Sequence, residues 1–133
     1  MISLKFFIAV IVTTISITII QWFFVGFVFH KYQAVTPAVW RKESSRSYAG
    51  STLLALVFAF MFMVIFSIWK NKYGDMSMAD GIKFGALCWI TFAVPLEIGS
   101  AIYVNYSRMF VIGKTLSSLV EYIIAGVLAT ALL

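Results

Sequence analysis

The sequence predicts an all-α integral membrane protein, a bundle of four transmembrane helices with short connections. Three observations carry this prediction. Of 133 residues, 62% are hydrophobic and 11% charged, whereas a soluble domain is about 45–50% apolar and about 25% charged. The apolar residues gather into four runs, each near the roughly 20 residues that cross about 30 Å of hydrocarbon. The runs are continuous, not the alternating segments of about ten residues that build a membrane β-barrel. A soluble chain of this size would leave much of that apolar surface exposed and would aggregate. In lipid, unpaired backbone N–H and C=O groups have no partner, so the runs must be helices.

The expected spans cover about residues 4–29, 48–69, 79–106 and 115–133 of a single domain, 1–133. Lys5 before the first run imitates a signal peptide. The run then continues through Phe29 with no A-x-A site after it, so it is read as a retained span. In the longest connection, Thr36-Pro37 suits the N-cap and first position of a short helix. Trp40, before Arg41 and Lys42, suits an element lying in the headgroup region. Ser77-x-x-Asp80 reads as a capping box that opens the third span. Short connections make successive helices antiparallel neighbours.

The net charge is +5. The basic residues sit in the gaps between apolar runs, where headgroups lie, so this balance points to membrane topology and not to nucleic acid. Lys31, Arg41, Lys42, Arg46, Arg108 and Lys114 fall on one side, and Lys5, Lys70, Lys72 and Lys83 on the other. The positive-inside rule places the first group in the cytoplasm and both termini outside it. The lone Cys88 has no intrachain partner for a disulfide.

Two carboxylates interrupt the apolar runs, Glu97 in the third and Glu121 in the fourth. A charge at the bilayer centre costs about 2.5–3.5 kcal/mol on insertion scales, so such groups face the bundle interior. If the chain turns near residue 109, each carboxylate lies 12 residues from the turn. The two then sit at similar depth on adjacent helices, able to share a proton or an ion. The plainer role is structural, each carboxyl taking a hydroxyl hydrogen bond from a neighbouring helix. Pro95, two residues before Glu97, removes one helix hydrogen bond, frees the carbonyl near Thr91 and is a candidate kink. Thr14, Thr18 and Gln21 share one face of the first span and predict interhelical hydrogen bonds, with Gln21 nearest the carboxylates. Ser118, Tyr122, Ala125 and Ala129 form a seam on the fourth span that adds Tyr122 to the candidate polar site. Gly81-x-x-x-Gly85 matches a close-packing motif, but its place at a helix start beside Lys83 argues against it. His30, Trp40, Asn105 and Arg108 make a candidate interface belt.

The sequence has no Walker loop, G-x-G-x-x-G, G-x-S-x-G or H-E-x-x-H motif, so no catalytic residue is nominated. One histidine without neighbouring ligands is no metal site, and no histidine pair suggests haem, so no cofactor is expected.

Three stretches carry a family resemblance: WFFVGFVFHKYQAVTPAVWRKE from Trp22, MADGIKFGAL from Met78, and TFAVPLEIGSAIYVNYSRMFVIGKTLSSLVEYIIAG from Thr91. The chain resembles the bacterial four-span membrane proteins of the domain of unknown function 1761 family. The matching positions are Trp22, Trp40, Asn105, Arg108, Tyr122 and Gly126. A Tyr-Ser-Arg-Met turn stands where the family pattern has a Phe-Glu-x-Arg-like one. The resemblance implies the four-helix fold and a bacterial inner-membrane location, and it implies no activity.

The leading expectation is therefore a non-catalytic membrane protein in contact with the lipid bilayer. It works as an accessory or structural subunit of a larger membrane complex, or as a homo-oligomer. The alternative is a small proton- or ion-linked transporter or channel that uses Glu97 and Glu121.

Overall fold

The computed structural model describes residues 3–133, and among them the regular structure is helical throughout, with no strand. Four helices are long and apolar enough to cross a membrane: Leu4–Val28, Ser45–Tyr73, Met78–Tyr103 and Arg108–Leu132. The protein is a multi-pass membrane bundle.

The first span is α1 (Leu4–Gln21) followed by a π-helical stretch, Trp22–Val28. Ser3 opens α1 by accepting a hydrogen bond from the Phe6 N–H at 3.3 Å. The connection contains two single turns of 3-10 helix, His30–Tyr32 and Pro37–Val39. Pro37 starts the second turn as expected, but the Thr36 hydroxyl makes no capping bond.

The second span, α2 (Ser45–Tyr73), is longer at both ends than the apolar run. Ser44 caps it by accepting from the Ser47 N–H at 3.2 Å. Lys70 and Lys72 lie in its last turn, where cations favour the negative end of the helix and long stems carry the ammonium outward. Gly74, with φ of 84°, ends it in a conformation that side chains disfavour.

The third span is α3 (Met78–Cys88), a π-helical stretch Trp89–Ala93, and α4 (Val94–Tyr103). The predicted capping box forms: Ser77 accepts from the Asp80 N–H at 3.3 Å, and Asp80 accepts from the Ser77 N–H at 3.0 Å. The fourth span, α5 (Arg108–Leu132), begins seven residues before the expected start. Gly113 does not break it, because that glycine lies buried under the Phe29 ring, where a side chain would clash.

α5 is the centre of the bundle, packed against α1, α3, α2 and α4. α2 leans on α1, while the backbones of α2 and α3 stay apart. Aromatic rings bridge that gap, with Phe84 set edge-on against Phe62, Phe66 and Trp69 at 5.3–5.4 Å. The buried core joins Phe6, Ala9 and Val10 of α1 with Ala59, Met63 and Phe66 of α2 and Ala125 and Ala129 of α5.

The tightest approach is between α3 and α5, at the motif the sequence argued against. A Cβ on Gly85 would overlap the Tyr122 carbonyl, and one on Gly81 would lie 2.6 Å from the Gly126 oxygen. Lys83 is no obstacle, since its side chain is 78% exposed and turned out of the seam. Small residues here let two backbones touch, which is how helices associate when lipid removes the hydrophobic drive between them.

Candidate functional site

Two wide turns shape the site. In the first span, the Phe29 N–H donates to the Phe24 carbonyl at 2.8 Å, a five-residue step that closes the π-helical stretch. In the third span, the Val94 N–H donates to the Trp89 carbonyl in the same pattern. The second wide turn has a clear cause. Pro95 has no N–H, and its ring crowds the carbonyl four residues back, so an extra residue per turn relieves the clash. Pro95 thus follows directly on a π bulge, one of the recognised causes of a kink in a helix. Both stretches pack on α5, and such bulges often mark functional sites.

Glu121 lies on α5 between them, only 8% exposed. Its Oε1 accepts from the Ser117 hydroxyl at 2.8 Å, one turn earlier on the same helix. Its Oε2 accepts from the Gln21 side-chain amide at 3.1 Å, at the last residue of α1. Both oxygens therefore face neutral donors. Among the described residues the only ion pair is Lys83 with Asp80, so neither Glu97 nor Glu121 has a salt-bridge partner there.

Glu97, half-buried on α4, reaches a different residue of α5. The Ser118 hydroxyl lies 3.2 Å from its Oε2. The same hydroxyl accepts from the Trp89 indole N–H at 3.0 Å and lies 3.0 Å from the Thr115 carbonyl. A hydroxyl has one proton to give. With Glu97 ionised, Ser118 donates to it. With Glu97 protonated, Glu97 donates to Ser118, and Ser118 donates to Thr115. The contacts are complete with the proton on either side.

The chain turns at residues 104–107, and Glu97 meets Ser118, three residues, or about 4.5 Å along the helix, before Glu121, so the two carboxylates lie within one helical turn of the equal depth expected.

Of the other predicted site residues, Gln21 joins the site directly. Thr14 and Thr18 do not bridge helices; their hydroxyls turn back to the Val10 and Thr14 carbonyls at 2.8 and 2.9 Å. Tyr122 faces α2, with its ring 4.8 Å from Phe58 and 6.1 Å from Phe62. His30, Asn105 and Arg108 are exposed at one end of the bundle. Trp40 folds over the same end, 4.6 Å from Phe110 and 5.3 Å from Tyr106. Trp89 and Ser117 had not been singled out. The i, i+4 spacing of Ser117 and Glu121 would have placed that hydroxyl on the carboxylate. A tryptophan inside a span, whose N–H needs a partner, was a signal for Trp89.

No group of three or more His, Cys, Asp or Glu side chains among the described residues is placed to hold a metal ion. The family described as Protein of unknown function (DUF1761) matches residues 8–130, and the chain belongs to it. No curated protein and no solved structure matches the chain.

Proposed function

We propose that this member of the DUF1761 family is a non-catalytic membrane protein that exchanges a proton at the Glu97–Glu121 site, moving it across the bilayer in a self-associated form. One observation carries the reading: Glu97, Ser118 and Thr115 form a chain of contacts that is complete with the proton on Glu97 or off it. Glu121 supports it, as a nearly buried carboxylate served only by neutral donors. In low dielectric, an unpaired charge is costly enough that the group takes up a proton or a cation.

Self-association is part of the proposal because four helices gathered on α5 leave little room for a pathway within one copy. α4 has no buried residue, Leu96 and Ile102 on it are each 72% exposed, and Glu97, which reaches Ser118 of α5, is only half-buried. A second copy over α4 would enclose Glu97. The same face supports a second reading, an accessory subunit whose larger partner covers α4.

The resemblance of the aromatic and loop positions supports a bacterial inner membrane. Six basic residues against four support termini outside the cytoplasm.

Reconstitution in liposomes tests the proposal. The expected result is proton flux from the unmodified protein, falling to the protein-free level in Glu97→Gln and Glu121→Gln variants that keep their helical content. Background flux from the unmodified protein overturns the transport reading. If the variants instead lose only their association with a co-purifying subunit, the accessory reading replaces it.

A further inference from the structure

The seam between the second and third spans is unlike the others. The backbones of α2 and α3 stay apart, and the space between them is filled only in part by rings. Two cavities lie along it.

At the end where α2 stops and α3 starts, a cavity of about 320 Å³ is lined by Trp69, Tyr73, Asp75, Asp80 and Lys83 among others. Further along, a groove of about 340 Å³ is lined by Phe58, Met61, Ile65, Cys88 and Phe92 together with other apolar side chains. The two follow one another along the same seam, with the Phe84 ring standing between α2 and α3 where they meet. Met61, Ile65, Trp69 and Tyr73 repeat every four residues on α2, and Phe84, Cys88 and Phe92 do so on the third span. From Tyr73 at the mouth to Leu54 at the far end of the groove is nineteen residues, or about 28 Å, close to the hydrocarbon thickness of about 30 Å. The seam therefore has a polar mouth at the membrane surface and an apolar groove that continues past the bilayer middle, deep enough to take an acyl chain.

The mouth also has the charge pattern of a zwitterion. Asp80 is engaged, since it holds the Ser77 cap and lies 3.9 Å from Lys83. Asp75 is exposed and makes no hydrogen bond or ion pair among the described residues. The Trp69 and Tyr73 rings stand beside it, 4.8 Å apart. Lys72 already lies 5.5 Å from the centre of the Tyr73 ring, which leaves the Trp69 ring and the Asp75 carboxylate for an incoming ammonium. Lys83 extends outward, available to a phosphate.

We propose that this seam binds one ethanolamine phospholipid, with its ammonium on Asp75 and Trp69, its phosphate on Lys83, and an acyl chain along Ile65, Met61 and Cys88. A primary ammonium donates hydrogen bonds to a carboxylate, whereas the trimethylated choline headgroup has no N–H to donate. An anionic glycerol headgroup has no ammonium to offer Asp75. The inference is independent of the Glu97–Glu121 site.

Native mass spectrometry of the full chain, released from nanodiscs with equal parts of ethanolamine, choline and glycerol phospholipids, tests this. The expected result is one retained ethanolamine lipid, preferred about five-fold, the factor that about 1 kcal/mol from the ammonium N–H hydrogen bond to the carboxylate supplies. Asp75→Asn should bring retention towards parity. Met61→Trp, which fills the floor, should expel the lipid whatever its headgroup. Equal retention of the three lipids, or preference for the glycerol lipid, overturns the proposal, as does an unchanged preference in a folded Asp75→Asn variant. Should that variant fail to fold, the ethanolamine-to-choline ratio of the unmodified protein decides alone.

Discussion

Gln21 and Glu121 stand 100 residues apart in the sequence, and the side-chain amide of the first donates to the carboxylate of the second at 3.1 Å. This contact ties the end of α1, where the helix widens into its π-helical stretch, to the central helix of the bundle. It is a structural bond and also half of the environment of the buried carboxylate.

Replacing Gln21 with Leu leaves Glu121 with Ser117 as its single donor. Interhelical hydrogen bonds in membranes contribute about 0.6–1.7 kcal/mol, so a loss near about 1 kcal/mol is expected. Reversible unfolding in bicelles measures it. A double-mutant cycle with Glu121→Leu should show coupling, because removing the donor alone leaves the acceptor under-satisfied.

The α3–α5 seam makes glycine substitutions diverge. Gly85→Ala drives a Cβ into the Tyr122 carbonyl, backbone that cannot yield, and should cost about 1–3 kcal/mol. Gly50→Ala, in α2 with nothing within 4 Å of the new Cβ, should stabilise by up to about 1 kcal/mol through helix propensity alone. The same unfolding assay reads both, and equal effects would contradict the seam.

Pro95→Ala restores a backbone N–H four residues after the Thr91 carbonyl. The wide turn Trp89–Ala93 then has no cause and should revert to α-helix, rotating Trp89 away from Ser118. The indole N–H resonance of Trp89, assigned with Trp22, Trp40 and Trp69 changed to Phe, should shift to that of an unbonded indole. Stability should hold or rise, since proline costs about 3 kcal/mol in a regular helix interior. An unmoved resonance would mean that packing on α5, and not the proline, sets the bulge.

The four spans were legible in the sequence because the lipid requirement for about 20 apolar residues leaves few alternatives. Their ends were less so. Hydropathy stops at charged residues, but Lys70, Lys72 and Arg108 sit comfortably in the terminal turns of their helices. Ser77 and Asp80 were readable because a capping box is local. The buried position of Glu121 followed from its cost in lipid. Its partner Gln21 was readable only as a face, since the donor comes from a distant helix. The π-helical stretches were not readable. Pro95 gives a reason for one, while the stretch Trp22–Val28 contains no proline. The sequence set Glu97 at about the depth of Glu121, and the fold gives it Ser118, one turn earlier on the same helix as Glu121, as its hydrogen-bond partner, a detail that depends on how far the third connection extends.

The proton-exchange account is tested most directly by solid-state NMR of the side-chain carboxyl carbons, in bilayers, across a pH series. Variants Glu97→Gln and Glu121→Gln assign the two signals. The account predicts that the Glu97 signal moves between its protonated and ionised positions, and that Ser118→Ala perturbs this step. A Glu97 carboxyl that keeps one protonation state throughout, in a protein whose liposomes show only background proton flux, would contradict it.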